Sequence, residues 1–177
     1  MNSNVRFFTE GHTDKLLLDI LEIPPKLIEK KGAVSKLVRS MKNQLNDFNK
    51  IIVGIVDYDK GKSLDFFNDF DSCDEPDNII LKYKKNSNQY ILFLKPKAIE
   101  RWILDAAADA NINPEDFNIP TDLKKLRKIT KSITVSKNTD FINFIRKIKN
   151  KKAEPFVYLQ QILLTLLNKK TYLCKTN

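Results

Sequence analysis

The run Ile-Ile-Val-Gly-Ile-Val at residues 51–56 constrains this chain more than any other feature. Six consecutive residues carry no polar side chain and five of them are β-branched, which suits a strand buried on both faces, as in a parallel sheet covered by helices. The run stops abruptly at Asp57-Tyr58-Asp59-Lys60-Gly61, so the strand delivers charge to one edge of its sheet.

The flanks supply the covering layers. Val34, Leu37, Val38, Met41, Leu45 and Phe48 fall on one stripe of an amphipathic helix over residues 33–48. Upstream, Val5, Phe7 and Phe8 predict a first strand over 5–9, Glu10-Gly11 a tight turn in which the glycine frees the backbone, and Thr13 the N-cap of a helix. That helix holds Leu16 to Leu21 and ends before Pro24-Pro25. Downstream, residues 79–83 and 90–94 predict strands, and the acidic residues 65–77 read as a solvated helix and loop. A helix after Pro96 buries Trp102 with Ile99, Ile103 and Ala106. Residues 123–131, 141–148 behind a Thr139 cap, and 156–167 behind Pro155 read as helices, with a short strand at 133–135. This alternation predicts an α/β fold whose mostly parallel sheet has four or five strands, with 5–9 and 51–56 adjacent or nearly so.

Composition then narrows the class. A chain of 177 residues with 42% hydrophobic and 30% charged residues is a single packed domain rather than a disordered segment. No apolar run approaches the roughly 18 residues of a membrane span, and Cys73 and Cys174 form neither a zinc-knuckle spacing nor a readable disulfide framework. Both observations predict a soluble cytoplasmic protein. Charge is divided unevenly: residues 1–120 hold 17 Lys and Arg against 19 Asp and Glu, while residues 121–177 hold 14 against 3, an excess of +11. The chain therefore reads as an α/β core over 1–120 and a basic helical extension over 121–177 packed on the same domain. Such an excess attracts a polyanion, and Lys124, Lys125, Arg127 and Lys128 are the candidate nucleic-acid contacts.

Side chains on a strand alternate with period two, so Asp57 and Asp59 project in the same direction if the segment stays extended. Two carboxylates so placed repel unless a cation neutralises them. Glu10 ends the first strand, and open α/β sheets assemble their sites at the C-terminal edge of their strands; Asp14 follows four residues later. Hard oxygen ligands of this kind suit Mg²⁺.

Glu10-Gly11-His12-Thr13-Asp14 after a strand, with residues 51–56 running into Asp57-Tyr58-Asp59, resembles the signature of the Toprim (topoisomerase-primase) domain, closest to small Toprim-like proteins and the Toprim domain of OLD-family nucleases. The resemblance spans about residues 5–104 and extends to the segment Phe93-Leu94-Lys95-Pro96-Lys97-Ala98-Ile99-Glu100. It implies a Toprim-like (Rossmann-like) sheet flanked by helices. It also implies Mg²⁺ or Mn²⁺ held by Glu10, Asp14, Asp57 and Asp59 for phosphodiester cleavage, with Glu100 as a further ligand. A role in phage defence or DNA repair follows from the same resemblance. There is no Gly-x-x-x-x-Gly-Lys-Ser/Thr loop, so ATP-driven chemistry is not expected.

Lys60 and Lys95 are the lysines nominated to act on phosphate beside the acidic residues. His12 reads as a surface turn residue, and Tyr58 points away from its Asp neighbours. The expectation is a metal-dependent nuclease acting on nucleic acid, DNA ahead of RNA. The alternative is a non-catalytic Toprim-like module that binds nucleic acid or a partner protein.

Overall fold

A computed structural model describes residues 4–61 and 65–168, without the side chains of Lys60 and Gly61. Its centre is a six-stranded mixed sheet in the order β2-β1-β3-β6-β5-β4. The strands are β1 (Val5–Thr9), β2 (Ile28–Lys30), β3 (Ile51–Asp57), β4 (Asp71–Asp74), β5 (Ile79–Lys84) and β6 (Gln89–Leu94). The neighbours β2, β1, β3 and β6 run parallel, whereas β5 pairs antiparallel with both β6 and β4. The polar turn between residues 84 and 89 joins β5 and β6 as a hairpin, which is why that side reverses direction.

β3 lies between β1 and β6, and its alternating side chains feed two cores. Val53 and Ile55 join Val5, Phe7, Leu92 and Leu94 on one face; Ile52 and Val56 join Phe8, Ile91 and Phe93 on the other. This is the physical content of the unbroken apolar run: both faces are covered. The first face carries α1 (His12–Ile20), α4 (Ile99–Asp109), α5 (Leu123–Thr130), α6 (Thr139–Asn150) and α7 (Glu154–Leu167), all contributing to one core. Trp102 is 1% exposed and stacks on Phe156 with ring centroids 5.0 Å apart, joining α4 to α7. The second face carries α2 (Val34–Lys42) and the aromatic group Phe66, Phe67 and Phe70. Here Gly54 permits close approach, because a Cβ on it would meet Ile91 Cδ1 at 2.6 Å and Met41 Sδ at 2.9 Å.

Several expectations are corrected. The sheet has six strands and not four or five, because β2 and β4, which were not foreseen, join it. The helix over 33–48 stops at Lys42, and Phe48 is 60% exposed; the Asn-, Gln- and Asp-rich stretch after it favours turns over helix. Residues 133–135 form no strand, and Val135–Lys137 is a 3₁₀ turn. The cap of α6 is Asn138, whose Oδ1 accepts from Phe141 N at 2.9 Å, so Thr139 is the first helical residue. Cys73 on β4 is disulfide-bonded; two isolated cysteines carry no spacing signal from which pairing could be read. No described helix is long and apolar enough to cross a membrane.

Candidate metal and phosphate site

Parallel pairing decides where the site forms. β1 and β3 are hydrogen-bonded neighbours in a register that pairs Phe7 with Val53 and Thr9 with Ile55. Adjacent strands lie about 4.8 Å apart, so Glu10 and Asp57, one residue apart in register, leave the same sheet edge on neighbouring strands. A cavity of about 520 Å³ opens there, lined by Glu10, Asp14, Asp57, Asp59 and Glu100. Five carboxylate residues from separate points in the sequence thus face one space. Its remaining wall includes Gly11, His12, Thr13 and Thr130, with Lys30, Arg127 and Lys131 as its cationic residues.

Each acidic residue is placed by a local device. Glu10 follows the last residue of β1; its carbonyl accepts from Gly32 N at 3.0 Å, and its Oε2 is buried. Gly32 takes φ +85°, the left-handed region that favours glycine, as the chain leaves β2. Asp14 is the third residue of α1, and its Oδ2 accepts from Gly11 N at 2.6 Å, satisfying a donor at the helix start. Gly11 has φ −111°, an extended value open to any residue. A Cβ here would stand 2.9 Å from Asp14 Oδ2, so any larger residue would push that carboxylate aside. Thr13 does not cap α1; it lies inside the helix and its hydroxyl donates to Thr130 O at 2.6 Å.

Asp57 is buried, and its Oδ1 accepts from Ile99 N at 2.9 Å. Ile99 opens α4, whose N-cap position is Ala98 and offers no side-chain acceptor. A carboxylate from β3 therefore replaces the missing cap and faces the positive end of the helix. Asp59 does not extend beside it. The chain turns into the short helix α3 (Tyr58–Gly61) directly after Asp57, leaving Asp59 exposed at the cavity wall. Tyr58 turns back onto Phe93, edge to face, with centroids 6.3 Å apart.

Glu100 is 5% exposed on the first turn of α4. Thr130 Oγ1 donates to its Oε1 at 2.6 Å, and Arg127 Nε stands 3.9 Å from its Oε2. His12 begins α1 and is held below its ordinary pKa, first by burial and then by the charges of Lys30 and Lys15. It is a partly exposed residue of the cavity wall.

No protein-family model, curated protein or solved structure matches this chain. The functional reading accordingly rests on the geometry of this cavity.

The donor set fits a hard divalent cation, since every acidic residue at the cavity offers oxygen. Among the described residues no three His, Cys, Asp or Glu side chains converge into a ready-made cage. Oxygen donors of this kind suit magnesium better than zinc, which favours nitrogen and sulfur.

The nominated lysines are divided. Lys95 is half-buried and does not line the cavity, and the Lys60 side chain lies outside the described part. Lys124, Lys125 and Lys128 are exposed on α5 away from the cavity wall, whereas Arg127 on the same helix belongs to that wall. Thr13, Thr130, Lys30 and Lys131 were not singled out for the site. Thr130 carried no readable signal, since its partners lie 117 and 30 residues away in sequence.

Proposed function

We propose that this chain is a metal-dependent nuclease of Toprim-like, Rossmann-like architecture that hydrolyses phosphodiester bonds in nucleic acid. The observation that carries the reading is the arrival of Glu10 and Asp57 from neighbouring parallel strands at one cavity with Asp14, Asp59 and Glu100, where Lys30, Arg127 and Lys131 supply positive charge.

Glu10, Asp14, Asp57 and Asp59 are the residues that would hold Mg²⁺ or Mn²⁺. A bound divalent ion would neutralise their repulsion, polarise the phosphoryl group and lower the pKa of water. Lys30 and Lys131 draw the anionic substrate toward carboxylates that would otherwise repel it. The exposed Lys124, Lys125 and Lys128 of α5 continue that attraction along the backbone of a longer strand. In the reaction, water adds to phosphorus, one P–O ester bond breaks, and the leaving oxygen takes up a proton.

Incubating the protein with plasmid, single-stranded DNA and RNA in Mg²⁺, Mn²⁺ or EDTA tests this. Cleavage that requires metal and disappears in Glu10→Gln and Asp57→Asn supports the reading; metal-independent cleavage, or its survival in both variants, refutes it.

A second reading has its own support. Asp14, Asp57 and Glu100 each accept a hydrogen bond from the protein, and no cage is preformed among the described residues, which also fits a non-catalytic Toprim-like module that binds nucleic acid or a partner protein. Salt-dependent DNA binding without cleavage in any metal favours that module. In either case, neutralising Lys124, Lys125, Arg127 and Lys128 together lowers the log-log salt slope by roughly 0.9 for each duplex phosphate that the protein no longer neutralises.

A further inference from the structure

Glu100 and Arg127 form an asymmetric pair. The Glu100 side chain is 6% exposed and that of Arg127 47% exposed, and both line the cavity. Both carboxylate oxygens are already claimed: Oε1 by the Thr130 hydroxyl at 2.6 Å, Oε2 by the charge of Arg127, whose Nε stands 3.9 Å away. That separation lies beyond hydrogen-bond range and within Coulombic reach. The anchor beneath is firm, because the Thr130 carbonyl accepts from Thr13 Oγ1 at 2.6 Å, tying the end of α5 to the helix that carries Asp14.

A cation at Oε2 would lie against the Arg127 guanidinium, and like charges repel. Glu100 is instead a good counterion for that guanidinium. An arginine steered through its Nε edge retains its two Nη groups for another anion, and the planar fork matches two phosphate oxygens.

We propose that Arg127 grips a substrate phosphate at the cavity, and that Glu100, fixed by Thr130, is its positioning residue and not a metal ligand. The proposal rests on the nuclease reading above. It separates two kinds of carboxylate in one cavity: Glu10, Asp14, Asp57 and Asp59 serve the ion, while Glu100 serves the arginine.

The test uses the full chain and two probes, Mn²⁺ alone and a single-stranded DNA oligonucleotide with Mn²⁺. Mn²⁺ affinity of Glu100→Gln stays within about twofold of wild type, whereas Glu10→Gln loses about tenfold or more. Glu100→Gln and Arg127→Met each lower kcat/KM by about tenfold or more, and the double variant is no worse than Arg127→Met alone, because one residue acts through the other. Arg127→Lys does not restore the rate, since an ammonium lacks the fork. Thr130→Ser, which keeps the hydroxyl, recovers what Thr130→Val loses; thermal melting of every variant identifies any that fails to fold. Loss of Mn²⁺ affinity in Glu100→Gln matching that in Glu10→Gln overturns the proposal, as does multiplication of the two single losses. Wild-type protein that neither binds Mn²⁺ nor cleaves overturns the nuclease reading instead. The same cycle is then read on oligonucleotide binding in EDTA, where equal and non-additive losses uphold the Arg127 grip and additive or absent losses overturn it.

Discussion

Replacing Asp57 by alanine and by asparagine separates its structural work from its charge. Carboxylate repulsion alone predicts that both changes stabilise the metal-free protein, since each removes a negative charge from an acidic cavity. The bond from Ile99 N to Asp57 Oδ1 at 2.9 Å reverses that expectation, because Asp57 is the acceptor that α4 lacks at Ala98. A hydrogen bond to a charged group contributes about 1.5–3 kcal/mol, and the helix dipole adds about 0.3–1 kcal/mol. Set against relief of repulsion, Asp57→Ala costs about 2 kcal/mol. For a chain of this size that is a fall in Tm of about 4–8 °C. Asp57→Asn keeps an oxygen acceptor and loses only the charge, so its cost is about 1 kcal/mol or less. Thermal and urea unfolding in EDTA read both. Asp57→Ala melting at or above the wild-type temperature would refute the capping argument and leave repulsion as the governing effect.

Three further outcomes follow from the same geometry. Gly11→Ala keeps an allowed backbone but brings a Cβ to 2.9 Å from Asp14 Oδ2, so Mn²⁺ binding weakens while Tm moves little; calorimetric titration and melting on one sample check this. Gly54→Ala forces its Cβ onto Ile91, Met41 and Leu37 and costs about 1–3 kcal/mol by overpacking; urea unfolding of equal midpoint to wild type contradicts it. His12 titrates below 6.5 because of burial, then Lys30, then Lys15. The unfolded chain therefore takes up this proton first as pH falls, and the His12 contribution is intact above 6.5 and lost as pH drops below it toward the folded value. In an NMR titration Lys30→Gln moves the midpoint part of the way back up, and an unmoved midpoint removes Lys30 as a cause.

How legible the molecule was in its sequence varies by residue. The run at 51–56 announced a strand covered on both faces, and its partner Phe7-Phe8 announced a neighbour, so the meeting of Glu10 and Asp57 at one edge was readable. Ile28–Lys30 and Asp71–Asp74 were not, because three- and four-residue strands rich in charge are held by the ladder of their neighbours rather than by their own propensity. Asp59 was read in the right region but the wrong conformation, since nothing in Asp-Tyr-Asp reveals that the helix begins at Tyr58. Arg127 was read as one of four nucleic-acid contacts on a basic helix, with no sign that it differs from Lys124, Lys125 and Lys128. Only the fold, by setting Thr130 against Glu100 and Thr13, turns that face of α5 into a wall of the acidic cavity.

The central claim is that the β1–β3 edge holds a divalent ion for work on nucleic acid. Its most direct test is an anomalous difference map from crystals grown with Mn²⁺ and a DNA oligonucleotide. The account predicts a peak in the cavity with oxygen of Glu10 and Asp57 in direct coordination, a phosphate oxygen near Arg127, and no bond from Glu100. A peak elsewhere, or an empty cavity in crystals that contain bound DNA, contradicts it.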